Sequence, residues 1–100
     1  MGLKKNATLL DGVTSTGASS ELDIRQYQKT IYFHAKTSGT PNFVLAIQIQ
    51  DPDGDWESIH SETITHATKF IQLDYQPFHK YRANVTTYTS GTIDVFAYWI

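Results

Sequence analysis

The chain has 100 residues, of which 40% are hydrophobic and 18% are charged, and its formal net charge is -2. This length supports one hydrophobic core, and the composition is that of a folded globular domain. Lys and Arg residues are scattered, so the clustered basic face that nucleic-acid binding needs is absent. Cysteines, a membrane-spanning apolar run and a signal-peptide core are also absent. We therefore expect a protein made in the cytoplasm that binds neither nucleic acid nor membrane.

Apolar and polar residues alternate with a period of two through most of the chain, which is typical of half-buried β-strands. In chain order this pattern predicts strands over residues 6–10, 20–24, 29–36, 42–50, 56–60, 68–73, 80–88 and 92–100. Turn residues separate them at 37–41, 51–55 and 89–91. About eight strands at this spacing predict an all-β fold, a single antiparallel β-sandwich of the jelly-roll or immunoglobulin type. Residues 1–100 form one domain, in which the polar segment 1–19 is expected to be a partly flexible N-terminal arm.

The apolar face of each predicted strand identifies the core. We expect burial of large side chains from several strands, namely Phe33, Leu45, Ile47, Trp56, Val85 and Val95. Trp56 follows the turn at 51–55 directly, and we interpret it as a large core anchor at the start of its strand.

The last predicted strand is apolar on both faces. Ile93, Val95, Ala97 and Trp99 form one face, while Phe96, Tyr98 and Ile100 lie on the other. Two interpretations are open: a central strand whose second face lies under a loop, or an interface with another subunit, which exposed aromatic patches commonly mark. The candidate interface residues are Tyr32, Tyr88, Phe96, Tyr98 and Ile100.

The acidic turn is the candidate metal site. Asp51, Asp53 and Asp55 alternate as the oxygen ligands of a calcium loop do. The match fails at the sixth position, where Trp56 replaces the Gly that such a loop needs for its bend. The residues therefore favour a tight hairpin turn in which Asp side chains bond their own backbone, and we expect no bound metal or cofactor.

Catalytic patterns are missing from the sequence. The chain has no nucleophile elbow and no Gly-rich phosphate loop. Its four histidines, His34, His60, His66 and His79, fall on separate elements, which does not favour a zinc site. Paired carboxylates for glycoside hydrolysis would need a deeper cleft than a domain of this size builds. We therefore expect a protein that is not an enzyme.

Four segments carry a family resemblance: Ile-Gln-Ile-Gln at 47–50, Asp-Gly-Asp-Trp at 53–56, Tyr-Arg-Ala-Asn-Val-Thr at 81–86 and Ser-Gly-Thr-Ile at 90–93. Their order resembles small β-sandwich virion proteins of tailed bacteriophages, from about residue 43 onward. The resemblance implies structural roles for Gly54, Trp56, Tyr81 and Arg82. Gly54 would form the turn, Trp56 would anchor the core, and Arg82 would pair with an acidic neighbour.

This resemblance implies a structural protein of the virion, specifically a capsid decoration protein that binds the major capsid protein as a homotrimer, with a tail or baseplate component as the nearest alternative. The same order of motifs is similar to discoidin-like and other carbohydrate-binding sandwiches. The second hypothesis is therefore a carbohydrate-binding module of a phage tail or surface protein, whose ligands are glycans. That hypothesis predicts a groove or loop cluster lined by exposed Tyr or Trp, and the sequence does not identify its binding residues.

Overall fold

The structure, a computed structural model, describes residues 6–24, 30–74 and 78–100 of the chain. Seven β-strands follow one another in these ranges: β1 Asn6–Val13, β2 Gly17–Ala18, β3 Leu22–Asp23, β4 Thr30–Gln50, β5 Trp56–Ile64, β6 Thr68–Asp74 and β7 Lys80–Trp99. These residues contain no helix long and apolar enough to cross a membrane. All the described strand pairs are antiparallel, so the prediction of an all-β antiparallel fold is confirmed.

Two long strands organise the molecule. β4 has 21 residues and β7 has 20, and they pair from Ile31 opposite Trp99 to Ile49 opposite Tyr81. Midway, residues 39–41 of β4 lie opposite the single residue Gly91 of β7. The pairing is regular before this point and shifts register twice more after it, between Asn42 and Phe43 and between Val44 and Leu45. Gly39 and Gly91 have positive φ values of 76° and 103° there. An extra-residue bulge of this kind bends a strand and increases its twist, so both strands turn a corner at the same place.

The corner divides the sheet into two layers. In the first layer, residues 30–38 of β4 and 92–99 of β7 are flanked by β6 and β1. In the second, residues 42–50 of β4 and 80–88 of β7 are flanked by β5 on one side and by β2 and β3 on the other. The inner faces meet in one core, where the ring centroids of Phe33 and Tyr81 lie 6.4 Å apart. The long strands therefore present one inner face to the core and two outer faces to the surroundings.

The core follows the predicted alternation. Five of the six expected core side chains are fully buried: Phe33, Leu45, Ile47, Val85 and Val95. Burying a side chain of this size contributes about 1.5–3 kcal/mol. The prediction that Trp56 anchors the core is wrong, because this partly buried residue lies outside the core. It pairs with Gln50, and both residues belong to the outer face of the second layer, since the neighbouring Ile49 points into the core.

The predicted strand boundaries fail at the corner. Residues 30–36 and 42–50 belong to one strand, as do 80–88 and 92–99, so residues 37–41 and 89–91 are not hairpin turns; residue 29 of the predicted strand lies outside the described residues. A glycine with positive φ suits a turn and a bulge equally well, and the sequence does not separate the two. Residues 6–19 also differ from the predicted arm. Asn6–Val13 pairs with β7, and Leu9 and Leu10 are buried in the core, which holds the segment in the sheet. Residues 1–5 lie outside the described residues.

Candidate functional site

An aromatic surface covers the outer face of the first layer. The alternation of β4 and β7 directs Tyr32, His34, Phe96 and Tyr98 outward, because the residues between them point into the core. The register of β6 on β4 adds Phe70, which lies opposite His34, while Phe96 lies opposite His34 on the other side. We call these five residues, together with Ile100 at the end of the same row, the aromatic face.

Ring stacking holds the centre of the aromatic face together. The imidazole of His34 stacks on the Phe70 ring with centroids 4.2 Å apart and an interplanar angle of 14°, and it lies 5.8 Å from the Phe96 ring. The rings cover His34 so closely that its Nε2 atom is buried and has no hydrogen-bond partner among the described residues. Three apolar side chains nevertheless stay open to solvent, with exposed fractions of 59% for Phe70, 41% for Tyr98 and 61% for Ile100.

The aromatic face contains four of the five candidate interface residues: Tyr32, Phe96, Tyr98 and Ile100. The fifth, Tyr88, does not belong to it. Its hydroxyl donates a hydrogen bond of 2.6 Å to the carbonyl of Gly91, and its ring packs against the core beside the corner. Sequence reasoning missed Phe70 and His34, because their place on this face depends on which strand β6 pairs with.

A second, polar surface lies on the outer face of the other layer. Its centre is Gln48, which is 9% exposed. The Oε1 atom of Gln48 accepts hydrogen bonds from Arg82 Nε at 2.7 Å and from Asn84 Nδ2 at 3.4 Å, and its Nε2 donates to Ser58 Oγ at 3.2 Å. The guanidinium carbon of Arg82 lies 4.5 Å from the centroid of the Trp56 ring. We call Gln48, Trp56, Ser58, Arg82 and Asn84 the polar face.

The four residues with predicted structural roles fall into two groups. Gly54 has a φ of 91° in the turn, and Tyr81 is fully buried with its hydroxyl donating to the Phe78 carbonyl at 3.1 Å. Trp56 and Arg82 instead contact each other on the polar face. The prediction of an acidic partner for Arg82 is wrong within the described residues, because its hydrogen bond goes to the neutral amide of Gln48. Among the described residues, the stacking on Trp56 and this hydrogen bond fix the guanidinium group.

The acidic turn is organised by one carboxylate. Oδ1 of Asp51 accepts hydrogen bonds of 2.9 Å from the backbone N–H groups of both Asp53 and Asp55. The backbone closes the same turn with bonds between Asp51 and Asp55 and between Gly54 and Asp51. The described residues contain no group of three His, Cys, Asp or Glu side chains that could hold a metal ion. The Asp51 carboxylate therefore accepts hydrogen bonds from the backbone of its own turn, as the hairpin interpretation predicts.

A small charged cluster bridges the two layers at one open edge. Glu62 of β5 accepts from His60 Nε2 at 2.7 Å and pairs with Lys69 Nζ of β6 at 3.3 Å. Partial burial opposes ionisation of Glu62, but the hydrogen bonds and charges of His60 and Lys69 outweigh it. The pKa of the Glu62 carboxyl therefore lies below its ordinary value.

The fold has a counterpart among solved structures. No protein-family model matches the chain, and no curated protein matches it. The chain is similar to the crystal structure of the SPBc2 prophage-derived protein YomS, with a TM-score of 0.73. The similarity covers 95% of this chain and 91% of that chain at 10% sequence identity. At this identity the likeness shows that the two chains share a fold over almost their whole length.

Proposed function

We propose that the chain is a structural protein of a bacteriophage particle, and specifically a capsid decoration protein that binds the head surface through its aromatic face. The observation that carries the proposal is the cluster of exposed aromatic side chains on the first layer. The shared fold with a prophage-derived protein supports a phage origin. The resemblance of the motifs at 47–56 and 81–93 to virion proteins points in the same direction.

The aromatic face is suited to binding a protein surface. Phe70 and Tyr98 are large side chains with few rotatable bonds, so little conformational entropy is lost when a partner covers them. Aromatic residues of this kind carry much of the binding energy in protein interfaces, at about 2 kcal/mol or more each when they lie centrally. Tyr98 lies on the long strand β7, and Phe70 lies on β6, which pairs with the other long strand, β4, so the face is presented on a hydrogen-bonded sheet. This arrangement favours a binding role over a catalytic one.

The proposed partners are the major capsid protein and further copies of this chain. A homotrimer places three aromatic faces around one axis, so that each contact repeats with the symmetry of the particle surface. An interface of standard size buries about 800 Å² on each partner. The exposed side chains of Phe70, Tyr98 and Ile100 would form the apolar centre of the contact with the capsid.

Capsid binding tests the proposal directly. Capsids purified from the phage that encodes the chain are mixed with the wild-type protein and with the double variant Phe70→Ser/Tyr98→Ser, and bound protein is measured by co-sedimentation. Both side chains are exposed, so the variant should keep the β-sheet circular dichroism of the wild type. We expect it to lose at least tenfold in capsid affinity, since two central aromatic contacts are removed.

A matched control lies on the opposite layer. Val44→Ser removes an apolar side chain from the outer face of the second layer, and it should bind capsids as the wild type does. The proposal is wrong if the double variant stays folded and sediments with capsids as strongly as Val44→Ser. Native mass spectrometry of the same proteins tests the homotrimer, which both variants should still form because the aromatic face is turned to the capsid.

A further inference from the structure

The polar face contains an arginine that is held rigidly but is not neutralised. The Nε atom of this residue, Arg82, donates a hydrogen bond to Gln48, and the Trp56 ring covers one side of its guanidinium plane. The terminal guanidinium nitrogens, which carry four of the five N–H donors of an arginine, have no carboxylate partner among the described residues. Two acidic side chains, those of Asp51 and Glu21, are engaged by other groups. Asp51 bonds its own turn, and Glu21 lies 3.6 Å from Lys80 Nζ.

Gln48 organises the polar face around this arginine. It is more than nine-tenths buried and links the strands on both of its sides, through Ser58 of β5 and Asn84 and Arg82 of β7. A buried amide that is bonded on both sides fixes the rotamers of its partners before any ligand arrives. Binding groups that are already fixed lose less entropy when a ligand binds.

The groups of the polar face together define the chemistry of a ligand. A guanidinium fork binds a carboxylate through two parallel N–H···O bonds. The Asn84 amide bonds the same Gln48 oxygen as Arg82, and the Ser58 hydroxyl bonds the Gln48 nitrogen. Amide and hydroxyl groups of this kind exchange hydrogen bonds with ring hydroxyls. The half-buried Trp56 adds an apolar surface beside them. A carboxylate next to hydroxyls on a ring with an apolar side is the chemistry of an acidic sugar.

We propose that the polar face binds a saccharide that carries a carboxylate, with the terminal guanidinium nitrogens of Arg82 donating to that carboxylate. Gln48 is a positioning residue, since it acts through Arg82 and Asn84. This site lies on the layer opposite to the aromatic face, so it does not depend on the proposed attachment to a capsid.

Titrations followed by ¹H–¹⁵N correlation spectra test the site. The probes are three acidic sugars, galacturonic acid, glucuronic acid and N-acetylneuraminic acid. Galactose and glucose serve as neutral counterparts of the first two, and acetate serves as a carboxylate without a ring. We expect saturable shifts of the amides at 48, 58 and 82–84 with at least one acidic sugar, in the millimolar range. Its affinity should be at least tenfold above that for the neutral sugars and for acetate.

Two variants and a control assign the carboxylate to Arg82. Arg82→Gln should lower the affinity for the acidic sugar at least tenfold. Arg82→Lys keeps the positive charge but loses the two parallel N–H donors, so its affinity for the acidic sugar should lie between those of Arg82→Gln and the wild type. If Arg82→Gln does not fold, Arg82→Lys provides the test. Lys36→Gln removes one positive charge from the other layer and should bind as the wild type does.

Three results would overturn the proposal: no saturable shifts with any of the three acids, equal binding of galactose or acetate, or unchanged affinity in both Arg82 variants. The aromatic-face variant Phe70→Ser/Tyr98→Ser should bind the acidic sugar normally. Capsid binding and sugar binding can therefore fail independently, and each failure identifies which of the two faces was wrongly assigned.

Discussion

The corner at Gly91 offers a direct test of how the fold is held together. An alanine Cβ at this position would lie 2.8 Å from the Cα of Pro41, 3.2 Å from its Cβ and 3.4 Å from its backbone nitrogen. The first of these distances is shorter than real Cβ contacts, and the atom it meets is backbone, so β4 itself would have to move. Gly91 also has a φ of 103°, which L-residues rarely adopt.

The two effects add to a large loss of stability. A non-glycine residue held at an unfavourable positive φ costs about 1–3 kcal/mol, and forcing extra atoms into a packed site costs typically about 1–3 kcal/mol. Gly91→Ala should therefore lower the free energy of unfolding by about 2–6 kcal/mol. That is a substantial part of the roughly 5–15 kcal/mol that stabilises a small domain.

Gly39 provides a matched control on the facing strand. Its φ is 76°, but an added Cβ would lie 3.9 Å from the nearest atom, the Cα of Gly91, which is an ordinary contact. Gly39→Ala therefore carries only the backbone cost, about 1–2 kcal/mol.

Urea unfolding followed by circular dichroism measures both variants. With an m-value of about 2 kcal/mol/M, a loss of about 4 kcal/mol lowers the midpoint by about 2 M. If Gly91→Ala loses no more stability than Gly39→Ala, the close approach of the two strands at the corner is not rigid, and the reasoning is refuted.

Two further predictions concern a surface tryptophan and the charged edge. Trp56→Ala should lower the free energy of unfolding by about 1–2 kcal/mol, because Trp56 keeps part of its surface in water. Truncation of the fully buried Phe33 to Ala should cost roughly 3–5 kcal/mol. Equal losses of the two variants in urea melts would mean that Trp56 belongs to the core. Glu62→Gln should cost at most about 1 kcal/mol at neutral pH. The pKa of Glu62 is lowered in the folded state, so its contribution is present above the ordinary value of 4.5 and is lost as pH falls through the folded value. The difference between Glu62→Gln and the wild type should therefore shrink in melts as the pH is lowered below 4.5, and a difference that is constant with pH would contradict this account.

Local alternation was sufficient to predict the core but not the pairing of the strands. Phe33, Leu45 and Val95 could be assigned to the inside because neighbouring residues in a strand must point in opposite directions. The course of the two long strands could not be predicted in the same way. The sequence of residues 37–41 is compatible with two structures. In a hairpin, the segment before it would pair with residues 42–50. In a corner, both segments pair with β7 instead. Only contacts between residues that are distant in the sequence decide between the two.

The same distinction explains which site residues were found. Phe96 and Tyr98 lie in a strand that is apolar on both faces, so alternation alone indicated an outer aromatic surface. His34 and Phe70 joined it only through the register of β6 on β4. Trp56 was misassigned because it is the first residue after a turn, where a shift of one residue exchanges the inner and outer faces.

The two outer faces are mechanically connected because the same two strands build both. β4 contributes His34 to the aromatic face and Gln48 to the polar face, and β7 contributes Phe96 and Arg82 in the same way. Each face is the outer side of a different layer, so a partner that covers one leaves the other open. A particle protein attached through its aromatic face would thus present Arg82 to the surroundings. The corner at Gly91 lies between the two faces on both strands, so its geometry sets the angle at which one face is presented when the other is bound.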